Sequence, residues 1–281
     1  MKILHTADWH IGQFKGPVVD GVNLRSQDTV KCLEYMVEVA QKERPDVVCI
    51  SGDIFHQEQI GPVRYSDEMI HATNIITALA HFANYVIVMR GTPNHDGSGQ
   101  FRVLERMLLN VNNVCVVTKP YVIKTKFADI ACIPGFDKQE FRAIFPGLSA
   151  DEENLVWTKY ISDMVLTLRA ECDKTPILMA HYTVPGCNME SGQTSFFTNC
   201  EPVIPREALV AAGYEAALLG HIHRPQALDG LHNVFYSGAI NAMNFNDEGQ
   251  ERGFWIHEFN ENGKLVKGHR YTTPYRQFHT I

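Results

Sequence analysis

The stretch VIVMRGTPNHD, residues 86–96, decides the fold class of this chain. Its first four residues are apolar, which is typical of a buried strand in an α/β protein. The turn-forming letters RGTP interrupt this run, and the polar residues Asn94, His95 and Asp96 follow directly. Ligands and catalytic groups in open α/β sheets gather at the carboxyl ends of strands. We therefore expect a site at this strand end, completed by residues from neighbouring strands.

Four further apolar strands are predicted, and each of them also ends in residues that can bind a metal ion. They cover residues 2–7, 47–51, 177–180 and 216–219. In the same order they are followed by Asp8 and His10, by Asp53, by His181, and by His221 with His223. A single loop histidine is more often structural than a ligand. Five such strand ends in one α/β chain indicate a shared site.

The residue types at these strand ends favour a pair of metal ions. Carboxylates, imidazoles and one amide, without a thiolate, suit ions such as Mn²⁺, Fe or Zn²⁺. Seven donors exceed the needs of one ion and are enough for two if one carboxylate bridges. Two ions about 3.5–4 Å apart activate water and stabilise an in-line displacement at phosphorus. His95 is adjacent to a predicted ligand but surplus to the set, so it is the candidate general acid.

Length and composition indicate an ordinary folded enzyme. The chain has 281 residues, of which 45% are hydrophobic and 20% charged, unlike a disordered sequence. No apolar run approaches the roughly 18 residues that a membrane helix needs. The first residues, MKILHTADWH, run straight into a strand pattern without a separate apolar signal region. We expect a cytoplasmic protein with no membrane partner.

Cysteine content and net charge narrow the class further. The seven cysteines form no CxxC pair, which favours free buried thiols in a reducing compartment over a thiolate zinc site. The net charge of −7 argues against a protein that grips DNA by its own charge alone. A locally basic cleft, or metal ions that supply positive charge, remains compatible with this balance.

The rest of the chain predicts helices interleaved with strands, followed by a run of strands. Helices are predicted over residues 26–43, 63–83, 100–109 and 154–172. Strands are predicted over 114–117, 121–126 and 130–133 as a meander, and over 234–237, 253–259 and 264–271. A polar loop is predicted over 184–198, and PYRQFHTI, residues 274–281, as a last strand. This pattern indicates one domain, residues 1–281, built on two packed sheets.

The ordered motifs resemble those of a known superfamily. Asp-x-His, Gly-Asp-x-Phe-His, Asn-His-Asp, an isolated histidine and Gly-His-x-His follow one another as in the calcineurin-like metallophosphoesterases. ILHTADWHIG and GDIFH are most similar to SbcD-type DNA nucleases, relatives of the meiotic recombination eleven nuclease. The resemblance extends from Met1 to about Ser237. It implies an α/β fold, a four-layer α/β/β/α sandwich of two packed mixed sheets flanked by helices.

The resemblance also implies a role for each motif residue. Two divalent metal ions, expected to be Mn²⁺, would be held by seven ligands. One ion would be bound by Asp8, His10 and His223, and the other by Asn94, His181 and His221, with Asp53 bridging. His95 would protonate the leaving group, and His56 would position or stabilise the phosphate. Solvent exposure in a loop is the alternative for His56.

The implied activity is Mn²⁺-dependent DNA exonuclease, with possible endonuclease activity, in end processing, repair or recombination. The implied partners are DNA, an SbcC-type coiled-coil ATPase and a second copy of the chain in a homodimer. Apolar residues within 69–79 would join that dimer interface or pack on the sheet. One alternative is a phosphodiesterase or phosphatase acting on small molecules or nucleotides with the same centre. A non-catalytic scaffold is a further alternative, which the intact ligand set opposes.

Two features depart from the family pattern. The usual Gly-Asn-His-Asp is lengthened here to Gly91-Thr-Pro-Asn-His-Asp96, and Pro93 restricts both itself and Thr92. We expect this loop to be stiff. In longer relatives a DNA-capping domain and an ATPase-binding segment follow the core, and no counterpart occurs within these 281 residues. The resemblance therefore implies that the chain is the nuclease core.

Overall fold

Two six-stranded sheets pack face to face in the computed structural model, which describes residues 1–57, 67–189 and 201–280. Within these residues the strands are β1 (Lys2–Thr6), β2 (Val18–Val19), β3 (Val22–Asn23), β4 (Val47–Ser51), β5 (Tyr85–Met89), β6 (Val114–Val117), β7 (Tyr121–Lys124), β8 (Asp129–Ile133), β9 (Pro176–His181), β10 (Ala216–Gly220), β11 (Gln226–Leu228), β12 (Leu231–Tyr236), β13 (Gly253–Phe259) and β14 (Leu265–Thr272). The helices are α1 (Leu24–Glu43), α2 (Asp67–Ala80), α3 (Ser98–Leu108), α4 (Lys138–Ile144), α5 (Ala150–Ala170) and α6 (Arg206–Ala212).

Both sheets are mixed, with parallel strands at their centres. The first has the order β14-β13-β1-β4-β5-β6, in which β1, β4, β5 and β6 are parallel and β13 is antiparallel to both its neighbours. The second has the order β11-β12-β10-β9-β8-β7, with the four inner strands parallel. The carboxyl ends of β1, β4 and β5 therefore lie at one edge of the first sheet, and those of β9 and β10 at one edge of the second.

The central strands are buried on both faces, which explains their continuous apolar sequences. In β4, Val48 and Ile50 pack under the helices α1, α2 and α3, whereas Val47 and Cys49 face the second sheet. A separate core lies between the second sheet and α4, α5 and α6. The three cores define the four-layer α/β/β/α sandwich, and the predicted fold class is confirmed.

Local signals explain where the longer helices begin. The side chain of Asn23 caps α1 by accepting hydrogen bonds from the backbone N–H groups of Arg25 and Ser26. Ser149 and Glu152 form a capping box at the start of α5. In α2 the apolar face, including Met69, packs into the core under the first sheet. Of the two expectations for the apolar residues within 69–79, packing on the sheet is confirmed.

The predicted meander is wrong. β6 is parallel to β5 in the first sheet, whereas β7 and β8 pair in the second sheet, and the chain crosses between them at residues 118–120. Short apolar strands look alike in sequence whichever sheet they join, because all of them are buried against one of the cores. Helices α4 and α6 and the hairpin β2–β3 were not predicted.

The predicted last strand is also wrong. Residues 274–280 form no strand, and Pro274 lacks the backbone N–H that a sheet ladder requires. Instead the Arg276 guanidinium donates to Asp28 on α1 at 2.6 Å, which holds this segment against the first helical layer. The beginning of the predicted helix 63–83 and part of the predicted loop 184–198 lie outside the described residues.

Membrane-spanning segments and disulfides are both missing from the described part of the chain. None of its helices is long and apolar enough to cross a bilayer. Its six cysteines are free thiols, as predicted, and Cys200 lies outside the described residues.

Two histidines are buried in the sheet region away from the predicted site. His5 on β1 and His257 on β13 are both fully buried, with ring centroids 5.7 Å apart. Neither ring nitrogen of His257 has a hydrogen-bond partner, and its ring packs on Phe235 and Trp255. Burial lowers the pKa of His257 to about 3, and burial together with His257 holds the pKa of His5 well below its usual range.

This pair predicts acid sensitivity of the fold. The unfolded chain takes up a proton on each imidazole below about pH 6.5, whereas folded His257 takes one up only near pH 3. The free energy of unfolding should therefore fall as the pH drops from 6.5 towards 3. His257→Phe should reduce that slope by about 1.4 kcal/mol per pH unit. Urea unfolding in EDTA at several pH values measures it.

The control for this experiment is His232→Phe on β12, because His232 is exposed. It should leave the dependence of the unfolding free energy on pH unchanged. A His257→Phe protein with the wild-type slope would show that the buried imidazole does not contribute to acid sensitivity.

Candidate metal centre

The segments that follow β1 and β4 continue side by side beyond the regular sheet. The backbone N–H of Asp8 donates to Gly52 O at 2.9 Å, and that of His10 donates to Asp53 O at 3.1 Å. Ile11 and Phe55 then form an isolated parallel bridge. These bonds bring two predicted ligand segments, Asp-x-His and Gly-Asp-x-Phe-His, into direct contact.

The backbone is strained at the predicted ligands. Six non-glycine residues in the described ranges have positive φ, and four of them are Asp8, His10, Asp53 and His221, with φ between 47° and 89°. Such a conformation costs about 1–3 kcal/mol for each residue and persists only where the surrounding structure enforces it. The fold therefore gives up stability to aim these four side chains.

Asp8, His10 and His223 form the first group of potential ligands, with one donor atom from each lying within 4.8 Å of the others. The Nε2 atoms of His10 and His223 point at each other across 3.0 Å. Burial lowers the pKa of both imidazoles, that of His223 to about 3. Both rings are therefore neutral at pH 7, the form in which imidazole binds a metal ion.

Asp8, Asp53 and His181 form the second group, and all three are buried. The Nδ1 atom of His181 lies 2.7 Å from the carbonyl oxygen of Ser51, so Nδ1 carries the proton and donates it. Nε2 then faces Asp53 Oδ2 at 3.2 Å and has no other polar partner among the described residues. A buried ring nitrogen aimed at a carboxylate in this way is the arrangement of two ligands of one ion.

The electrostatics of this group favour positive charge. Burial would lower the pKa of His181, but the Asp53 and Asp8 carboxylates outweigh it and raise that pKa to about 10. Burial raises the pKa of Asp8 to about 7 against the opposing effect of His181. Two carboxylates buried together thus attract cations, and a divalent ion between them is a favourable partner.

Glycines allow the two sheets to meet at this point. A Cβ atom at Gly220, the last residue of β10, would lie 2.1 Å from Ser51 O and 2.7 Å from His181 Nδ1. Only glycine therefore lets β10 approach the end of β4 while His181 keeps its hydrogen bond to Ser51.

His221 follows Gly220 and contacts a carboxylate that was not predicted. Its Nε2 lies 3.6 Å from Glu201 Oε2, and its backbone N–H donates to Asp8 at 3.1 Å. Burial lowers the pKa of His221 to about 4, so its ring is neutral. Glu201 comes from a segment without strand-end context, which is why the sequence pattern could not single it out.

His95 is placed beside the centre and partly open to solvent. Its Nδ1 lies 2.6 Å from the carbonyl oxygen of His56, so this nitrogen donates its proton to that oxygen. Its Nε2 lies 3.9 Å from Asp53 Oδ2, and 31% of the side chain is exposed. The backbone of His56 therefore fixes the tautomer of His95 and directs Nε2 into the site.

His56 itself lies in the same cluster. One donor atom each of His10, His56 and His95 lies within 4.8 Å of the others. Its ring packs on Phe14 with centroids 4.3 Å apart, and burial lowers its pKa to about 4. His56 is partly buried rather than free in solvent, so the structure does not support the alternative of an exposed loop histidine.

Asn94 is the one predicted ligand that the structure leaves at the surface. It is exposed on a turn, whereas Thr92 reaches Asp53: the Thr92 N–H donates to Asp53 Oδ1 at 2.7 Å and its hydroxyl does so at 3.1 Å. Asp96 is buried and accepts from the N–H groups of Gly91, Ile54 and Phe55, which holds this loop against the segment after β4. The expected stiffness of the loop has this physical basis.

A buried arginine supports His223 from outside the motifs. Arg252 donates to the carbonyl oxygen of His223 and pairs with buried Asp247 at 2.6 Å. The backbone N–H of Ala239 donates to the same carbonyl at 3.0 Å. No motif near Arg252 marks it in the sequence, because its contact with His223 spans 29 residues of chain.

The donor set fits two divalent ions. Carboxylate oxygens and neutral imidazole nitrogens converge from the strand ends and the loops that follow them, and Asp53 lies between the two groups. Such a centre, at the carboxyl edges of two sheets with an adjacent partly exposed histidine, defines a metal-dependent phosphoesterase.

Comparison with known proteins gives the family. The model of the calcineurin-like phosphoesterases matches residues 1–225, and this chain belongs to that family. The family uses a dinuclear metal centre, and the chain is a hydrolytic enzyme.

Individual relatives agree with this assignment. Over 292 residues the chain is 24% identical to the SbcD component of the SbcCD nuclease of Escherichia coli K12, covering 99% of this chain and 69% of the relative. It is likewise 24% identical to the protein of the same name from Staphylococcus epidermidis, covering 100% and 72%. A dimetal phosphatase from Danio rerio shares the fold, with a TM-score of 0.52, 12% identity, and coverage of 97% and 98%.

Proposed function

We propose that this protein is a Mn²⁺-dependent DNA nuclease that hydrolyses phosphodiester bonds in DNA end processing, repair or recombination. The observation that carries the proposal is the convergence of two buried ligand groups on Asp53 beside His95. The end-to-end similarity to the SbcD components of SbcCD nucleases supports DNA as the substrate.

The proposed ligand sets follow the two groups. Asp8, His10 and His223 hold one ion, His181 and His221 hold the other, and Asp53 lies between them. The exposed position of Asn94 gives no support to its predicted role, and we leave it out of the set. When bound, the ions would activate a water molecule and stabilise charge on the phosphate oxygens.

His95 is the proposed general acid because of its hydrogen bonding. With Nδ1 donating to the His56 carbonyl, protonated His95 has its second proton on Nε2, on the side of Asp53. A leaving oxygen placed there receives that proton as the phosphodiester bond breaks. The carboxylate of Asp53 favours the protonated ring before the transfer.

His56 is proposed to orient the phosphate. Its ring is neutral, since burial lowers its pKa to about 4, so it contributes one N–H donor and no net charge. Contact with Phe14 holds the ring in place beside His95 and His10.

The proposal predicts a large loss of activity in His95→Gln. This change removes the transferable proton at Nε2 but leaves the proposed ligands intact. We expect the rate of Mn²⁺-dependent cleavage of linear duplex DNA to fall by about 10²–10⁴-fold. The amount of Mn²⁺ bound, measured by calorimetric titration, should not change.

His232→Gln is the matched control and should cleave DNA at the wild-type rate, because His232 is exposed on β12. A His95→Gln protein as fast as wild type would remove His95 from the mechanism. A wild-type protein that hydrolyses bis(p-nitrophenyl) phosphate or nucleotides but leaves DNA intact would contradict the nuclease proposal and favour a small-molecule phosphodiesterase.

We also propose that the protein forms a homodimer and acts with an SbcC-type coiled-coil ATPase. The compound name SbcCD carried by the relatives supports the ATPase. Exposed apolar side chains on the outer surface of α2 and α3, Ile70 and Met107, together with Leu109 beyond α3, support a contact between copies.

The dimer proposal predicts the effect of charge on this surface. Wild type should show twice the chain mass by light scattering, and Ile70→Glu with Met107→Glu should show the single mass. Leu155→Glu, on the exposed face of α5 in the other helical layer, is the control and should remain dimeric. A wild-type protein of single mass at high concentration would contradict the proposal.

A further inference from the structure

The loop after β5 places Thr92 where the family motif has its asparagine. Thr92 directly follows Gly91, as Asn follows Gly in the usual Gly-Asn-His-Asp. A Cβ atom at Gly91 would lie 2.1 Å from Asp53 Oδ1, so the glycine lets the chain pass closely over this carboxylate. Thr92 is therefore delivered against Asp53 as soon as the strand ends.

The two additional residues form a turn that points away from the centre. The carbonyl oxygen of Thr92 accepts from the N–H of His95 at 3.1 Å and from that of Asp96 at 2.7 Å. Pro93 is the second residue of this turn, a position that its restricted φ favours. Asn94 is the third residue and is exposed. The turn thus returns His95 to the site while leaving Asn94 outside.

The two oxygens of Asp53 have different surroundings. Oδ1 accepts two hydrogen bonds from Thr92, one from its N–H and one from its hydroxyl. Oδ2 faces His181 Nε2 at 3.2 Å and His95 Nε2 at 3.9 Å. A carboxylate oxygen that already accepts two hydrogen bonds has less electron density to offer a metal ion than its partner.

We propose that Thr92 is a positioning residue that occupies Asp53 Oδ1, so that Asp53 bridges the two ions through Oδ2 alone, and that Thr92 takes the place of Asn94 at the end of β5. The inference rests on the proposed dinuclear centre. A single bridging oxygen keeps two ions closer together than a carboxylate that bridges through both of its oxygens. Loss of the Thr92 hydroxyl frees Asp53 to rotate and to use both.

The test compares three variants in metal binding. Thr92→Val keeps the shape and the N–H of Thr92 but removes the hydroxyl, Thr92→Ser restores it, and Asn94→Ala removes the exposed amide. Mn²⁺ titration of the EDTA-treated proteins gives stoichiometry and affinity. The paramagnetic resonance spectrum of the loaded proteins reports the exchange coupling of the two ions, which depends on how they are bridged.

We expect Thr92→Val to bind two ions, with the weaker affinity reduced by about 10–100-fold, the usual effect of losing a group that orients a ligand. Its exchange coupling should differ from wild type, and Thr92→Ser should restore both properties. Asn94→Ala should match wild type. Thermal unfolding in EDTA checks that each variant is folded, and Thr92→Ala provides a second hydroxyl deletion if Thr92→Val is not.

Three results would overturn the inference. Asn94→Ala could lose an ion, which would make Asn94 the ligand. Thr92→Val could bind a single ion, which would indicate direct coordination by the hydroxyl. Thr92→Val could also match wild type in affinity and coupling. A wild-type protein that binds two coupled Mn²⁺ ions but does not cleave DNA would instead contradict the proposed nuclease function and leave this inference intact.

Discussion

The burial of two carboxylates side by side is the constraint on which the site depends. Asp8 and Asp53 lie at the ends of adjacent parallel strands, where the backbone hydrogen bonds between the two segments hold them together. Buried like charges repel, and the fold offsets this by placing His181 against both of them. Divalent ions would offset it more fully. The same electrostatic feature that makes this edge unfavourable by itself therefore makes it a strong cation site.

The two-sheet architecture is what brings the remaining donors to that pair. The first sheet supplies Asp8, His10 and Asp53, and the second supplies His181 and His221, so the site exists only while both sheets stay packed. Positive φ at most of these positions shows that the local backbone is held away from its own preference. The large core between the sheets provides the stability that maintains this strain.

The sequence was informative where structure and function are both local. Each ligand directly follows a buried apolar run, and residues two apart in an extended segment share a side, so the strands and ligand candidates could be predicted together. Contacts between distant segments could not. Glu201 and Arg252 approach the centre from loops without strand signals. Thr92 replaced Asn94 beside Asp53 because a turn closed on the Thr92 carbonyl, and the sheet to which β6 belongs depended on packing.

The central claim, a pair of ions bridged by Asp53, is tested most directly by anomalous scattering from crystals grown with Mn²⁺. The account predicts two peaks about 3.5–4 Å apart, one near His10 and His223 and the other near His181 and His221, with Asp53 Oδ2 between them. One peak, or peaks remote from Asp53, would contradict it.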